Sequence, residues 1–148
     1  MKPGTVFKWK NFPYPRIGDE IKPRWFICLG DTGILLTPIL VHFCTTTTSI
    51  EDFRLGGNRA SHHYLKFERK NHPCFDADCI LDFDEPPFLE SQESLEANKD
   101  IEIRGELNKE SMKMIYKGIL KSAHYSAKIK LDIHASLNRI GITGLTKP

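Results

Sequence analysis

Lys10, Arg16, Lys22 and Arg24 flank one turn-rich loop near the start of the chain, and Trp9, Tyr14 and Trp25 are interleaved with them. Cations hold a phosphate backbone while aromatic faces stack bases, so the pattern fits contact with a single-stranded nucleic acid. Trp9 and Trp25 equally fit half-buried strand positions, because strands favour aromatic residues. Arg24 stands on the border between the loop and the apolar run 25–29. A guanidinium on such a border is held rigidly, stays charged and can grip two phosphate oxygens in a planar fork. An ordinary surface arginine is the alternative there.

Histidine offers a second kind of chemistry, since an imidazole exchanges protons near neutral pH. His62 and His63 lie in a polar loop, where the sequence shows no positioned partner for either. His42, inside an apolar run, reads instead as a hydrogen-bonded core histidine. Together with His72, Cys74 and Cys79, the loop histidines supply the right ligand types for zinc. Their spacing is that of neither a finger nor a ribbon, so no metal and no cofactor are expected. The four cysteines contain no C-x-x-C pair, and two of them sit in apolar runs as small reduced thiols. Arg54, Arg59, Arg69 and Lys70 form a loosely basic stretch, read as a solvated surface or a contact for RNA.

The whole chain is close to neutral, with 21 lysines and arginines against 19 acidic residues in 148 positions, or +2. No overall field singles out a nucleic acid or a membrane as partner. The hydrophobic fraction of 40% excludes a wholly disordered chain. The longest apolar stretch, 33–44, contains Pro38 and His42 and falls short of the roughly 20 residues that cross a bilayer. No membrane partner and no secretory signal are expected, which makes the cytoplasm the expected location.

The elements that must position these residues begin as strands. Val6, Phe7 and Trp9 form a short β-prone run, and 11–22 is a loop rich in proline and glycine. The apolar runs 25–29 and 34–43 read as a hairpin of buried strands with a tight tip at Asp31 to Gly33. Thr45 to Thr48 either extend a strand or cap a short helical turn. Strands are predicted at 64–67, 79–83 and 101–105, with the acidic stretch 85–96 as a solvated connection. The period then changes. Met112, Ile115, Tyr116 and Ile119 share a helix face behind an Asn108 cap, and Ile129, Ile133, Leu137 and Ile140 share another between Ser126 and Gly141. Strands followed by helices read as an α+β fold, a small curved sheet or barrel covered by helices.

Several segments in this order resemble the MazF/PemK family of toxin endoribonucleases. Pro3-Gly4-Thr5-Val6-Phe7 leads to Asn11-Phe12-Pro13-Tyr14, and Lys22-Pro23-Arg24-Trp25-Phe26-Ile27-Cys28-Leu29 is similar to the family's arginine and apolar strand. Ile34-Leu35-Leu36-Thr37-Pro38-Ile39, Cys79-Ile80-Leu81-Asp82-Phe83 and Glu102 to Met114 resemble the later strands and the final helix. The resemblance covers residues 3–123 as a barrel domain, with 124–148 an added helical extension of the same domain.

The resemblance implies an SH3-like β-barrel with C-terminal helices, a homodimer, single-stranded RNA as substrate and an antitoxin peptide as partner. Cleavage of that kind needs no metal, because the RNA 2′-hydroxyl is an internal nucleophile and the protein need only move protons and stabilise phosphate charge. Arg24 takes the phosphate-stabilising role. Leu40 stands where the family places its catalytic threonine or serine, and Thr5 replaces an aspartate, so Thr45 and Thr46 become the candidate catalytic hydroxyls. Arg16, Lys22, Trp25 and His62 are the expected RNA contacts. The alternative, supported by Leu40, is a non-catalytic binding or regulatory module on the same fold.

Overall fold

A computed structural model describes residues 1–14 and 22–148 of the chain. Seven strands form one antiparallel sheet: β1 (Thr5–Trp9), β2 (Arg24–Asp31), β3 (Leu40–Thr47), β4 (Tyr64–Phe67), β5 (Cys79–Asp82), β6 (Phe88–Ser91) and β7 (Ile101–Glu106). The order across the sheet is β4-β5-β3-β2-β1-β7, with β6 on the β5 side of β3 beyond the end of β5. The outermost strands β4 and β7 do not pair, so the sheet is not closed into a barrel. Of the two expected architectures, the antiparallel sheet with C-terminal helices is the one that forms.

Strand alternation sorts the apolar residues onto two faces. Val6, Ile27, Leu29, Cys44 and Leu81 point to the face covered by the helices α2 (Lys109–Lys121) and α3 (Ala127–Arg139). Phe7, Trp9, Phe26, Val41 and Phe43 point to the opposite face, where Phe12, Phe88 and Leu95 complete a second, strongly aromatic core. Phe26 lies edge-on to Phe43 at 5.2 Å between ring centres, the geometry that aromatic quadrupoles favour.

Both C-terminal helices start as the sequence indicates. The Asn108 side chain accepts from the Ser111 N–H and that of Ser126 from the Ile129 N–H, satisfying donors that a helix start leaves open. Met112, Ile115, Tyr116 and Ile119 are buried, as are Ile133 and Leu137. Helix α3 lies directly on β2: a Cβ at Gly30 would stand 2.7 Å from Ser136, so only glycine lets the two backbones approach. The Asp31 N–H donates to Ser136 Oγ at 3.0 Å at the same contact. Helix α2 meets Phe83 as closely, through Gly118.

Two expectations are corrected. The run 34–43 is not one strand: β3 starts at Leu40, and 32–39 is a projecting connection with a cis Thr37–Pro38 bond. Pro38 has no N–H to give to a ladder, and the Asp31 carboxylate captures the Gly33 N–H, which turns the chain early. Ile34 and Leu35 are therefore 77% and 94% exposed. The stretch 85–96 is also no bare connection, because it contains β6 and helix α1 (Gln92–Ala97). Phe88, packed on the second core, and the buried Leu95 anchor these elements, and Ser91 caps the helix through the Ser94 N–H. The acidic composition hid both apolar anchors.

Candidate functional site

A cleft of about 320 Å³ opens at one end of the sheet, between the start of β2, the end of β3 and the 75–79 segment. Lys22, Arg24, Trp25 and Thr46 all line it, so four of the expected site residues come together. Thr47, Thr48 and Ser49 continue its hydroxyl-bearing wall. Pairing explains the grouping: Phe26 lies opposite Thr45 and Leu81 opposite Thr46, which brings the first residues of β2 and the last of β3 to one sheet end. Trp25 and Thr46 reach the cleft from the helix-covered face. Alternation turns Arg24 and Thr47 to the other face, which places them at the rim.

Arg24 is half-buried, and its side chain has no hydrogen bond or ion pair among the described residues. The other half-buried arginines differ. Arg59 pairs with Asp82 and Glu85, and Arg104 pairs with Asp76 at 2.9 Å and Glu102 at 3.0 Å. Trp25 is already engaged: the Arg104 guanidinium lies 5.1 Å from its ring centre, Lys8 Nζ 5.9 Å, and the Phe75 ring 6.2 Å. Its indole thus organises cations around the cleft.

The two candidate hydroxyls have internal partners. Thr45 is buried and donates to the Trp25 carbonyl at 3.0 Å, and it is not among the residues lining the cleft. Thr46 hydrogen-bonds the Cys79 thiol. Burial raises that thiol to about 12, partly offset by the Thr46 bond, so Cys79 stays protonated and weakly nucleophilic. Leu40 opens β3 opposite Ser91, at the far end of that strand from the cleft. Arg16 lies outside the described residues.

His62 does not line the cleft but sits over β5 in a separate charged cluster. Its Nδ1 is 2.8 Å from Asp82 Oδ2, and Asp82 is buried with its side chain 2% exposed. Asp82 Oδ1 accepts the Asp84 N–H at 2.9 Å, and Arg59 Nη1 lies 3.6 Å from Oδ2. The Arg59 guanidinium also covers the Phe53 ring, which packs against the edge of His62. Donor atoms of His62, Asp82 and Asp84 lie within 4.8 Å of one another, yet both Asp82 oxygens are already occupied. The cluster is an ion-pair network around a buried carboxylate. The expected zinc-ligand types are scattered: His72 Nε2 meets Ser111 Oγ at 3.2 Å, away from His62.

The chain matches no protein-family model, no curated protein and no solved structure.

Asp76, Arg104 and Asp82 escaped the sequence reading, and Arg59 was read only as part of a loosely basic stretch. Asp82 carried no signal of its own, because a charge ending a strand reads as solvated. Its burial follows from the 50–62 segment crossing back over β5, a long-range event that no local pattern encodes.

Proposed function

We propose that the protein acts on single-stranded RNA as a MazF/PemK-like, metal-independent endoribonuclease, with the phosphodiester held at the rim of the cleft by Arg24. The observation that carries this reading is the convergence of Lys22, Arg24, Trp25 and Thr46 on one cleft, with the guanidinium-bearing Arg24 half-buried at its rim. A phosphate matches the planar fork of that guanidinium. Lys22 on the same wall and the hydroxyls of Thr47 to Ser49 add contacts to a backbone that carries one charge per nucleotide. In the reaction the 2′-oxygen attacks phosphorus as its proton leaves, the P–O5′ bond breaks, and the 5′-oxygen takes up a proton. Arg24 holds the non-bridging oxygens while their charge grows. In this reading the protein works in the cytoplasm as a homodimer, and an antitoxin peptide competes with RNA for the cleft.

A binding module without catalysis is the second reading, favoured by the internal hydrogen bonds of Thr45 and Thr46. One experiment separates the two. Purified protein and Arg24→Ala are incubated with a long unstructured RNA in chelator, and fragment ends and gel-shift binding are recorded. Discrete cuts with 5′-hydroxyl ends, lost in the variant, support cleavage. Intact RNA that is bound by the wild type and released by Arg24→Ala turns the assignment to the binding module, and failure to bind RNA removes both.

A further inference from the structure

We infer that His62, oriented by Asp82, is the proton-transfer group of the RNA reaction proposed above; the inference rests on that reading and names an acid–base group for it. Among the described residues that line the cleft there is no histidine, and the one carboxylate, Asp76, holds Arg104. Thr45 and Thr46 spend their hydroxyls internally. Among the described residues, the open proton acceptor to consider lies beside the cleft.

His62 has the arrangement such a group needs. Its Nδ1 is fixed at 2.8 Å by a buried carboxylate, its ring edge rests on Phe53, and its side chain is still 31% exposed. Nε2 has no hydrogen-bond partner among the described residues. A base oriented by a third group through one ring nitrogen, with the other open, is the general design of activated acid–base sites.

Sheet geometry places it on the correct side. Leu81 lies opposite Thr46 and both point to the helix-covered face, so the next residue, Asp82, points to the other. Arg24 shares that other face, two residues before Phe26, which belongs to the second core. Strands β2, β3 and β5 are adjacent, so strand spacing sets Arg24 and Asp82 about 10 Å apart across the sheet and about 7 Å along it. Arg24 and the imidazole held by Asp82 therefore stand on one face of the sheet, two strands apart. The 50–62 segment runs from the cleft wall at Ser49 to His62 on Asp82 of β5.

In the step, neutral His62 Nε2 takes the 2′-hydroxyl proton as the O2′–P bond forms; the P–O5′ bond breaks, and the leaving oxygen takes a proton from water. The products are a 2′,3′-cyclic phosphate and a 5′-hydroxyl, with the imidazolium returning its proton to solvent. Four charged groups stand around His62: Asp82 and Asp84 from β5 and its end, Glu85 beyond them, and Arg59 on its own segment.

The test measures cleavage rate against pH, with RNA affinity, for the wild type, His62→Gln, Asp82→Asn, and His62→Ala with and without added imidazole. His62→Gln is expected to lose about a hundredfold or more in rate at unchanged affinity and to lose one limb of the pH profile. Imidazole should restore part of the His62→Ala rate, which no merely structural role explains. A wild type that cleaves while His62→Gln keeps its rate and profile overturns the inference and leaves the cleavage reading standing. A wild type that binds RNA but never cuts overturns both. Circular dichroism of each variant shows that it is folded, and a misfolded Asp82→Asn leaves the His62 variants to decide.

Discussion

The molecule contains two histidine–aspartate pairs of nearly equal geometry in opposite surroundings. His42 Nε2 lies 2.9 Å from Asp132 Oδ2, joining β3 to α3, and the side chains are only 5% and 9% exposed. His62 and Asp82 are 2.8 Å apart, but there the histidine is 31% exposed and only the carboxylate is buried. Between His42 and Asp132 both partners have been taken out of water, so the pair serves to fix where α3 sits and has no open ring nitrogen to offer a substrate. Its Nδ1 is buried without a partner. In the other pair the buried carboxylate orients an imidazole that solvent and ligands can reach. Hydrogen-bond length does not distinguish a structural pair from a working one; exposure of the histidine does.

The sharpest way to break this comparison is to remove the carboxylates in turn. Asp132→Ala leaves His42 buried and unpaired and is expected to cost about 3–5 kcal/mol, read as a shifted urea midpoint. A loss below about 1 kcal/mol would show that α3 is held by its apolar face alone, through Ile133 and Leu137.

Alkaline pH probes the buried thiols and tyrosine of the two cores. Burial raises the thiol of Cys28 to about 12, as it does Cys79, and pushes Cys44 and Tyr125 upward as well. Each stays neutral in the folded chain while its unfolded counterpart ionises, from 9.0 for the thiols. The folded state therefore holds its protons more tightly, so this stability is fully present below about pH 9 and is lost as pH rises toward 12. The melting temperature should fall across that window, and Cys79→Ala should flatten the fall. An unchanged slope would mean that other groups dominate alkaline unfolding.

Asp82→Asn comes next in size. The amide keeps the shape and can still accept the Asp84 N–H, but it gives up the charge shared by His62 and Arg59. About 1–3 kcal/mol is expected in the same urea experiment, within the range for a buried hydrogen bond to a charged group. A loss as large as that of Asp132→Ala would make both pairs structural.

The pairs also mark what could be read from sequence. His42 was legible as a core histidine because Val41 and Phe43 flank it in an apolar run, although its partner lies 90 residues away on α3. Helix spacing and the Asn108 and Ser126 caps placed α2 and α3 almost to the residue, since those signals are local. At the cleft, Lys22, Arg24, Trp25 and Thr46 were found by type and order, and strand pairing then brought them together. His62 was named without Asp82. The polar 50–62 segment has no periodicity to say that it folds back across β5, and the exposed 34–36 tip misled because apolar residues at a projecting turn look like strand.

The smallest expected effect is the most discriminating one. His62→Gln replaces a ring that is 31% exposed by an amide that can still donate to Asp82, in a cluster in which Arg59 remains beside that carboxylate. With the hydrogen bond kept, stability should stay within about 1 kcal/mol of the wild type. Arg24→Ala should behave alike, because Arg24 has no intramolecular partner to lose among the described residues. A group selected for chemistry leaves a substitution with this profile, silent in unfolding and costly in RNA turnover. If His62→Gln instead unfolds as readily as Asp132→Ala, exposure has ceased to separate the two pairs, and His62 belongs with His42 as a fastening of the fold.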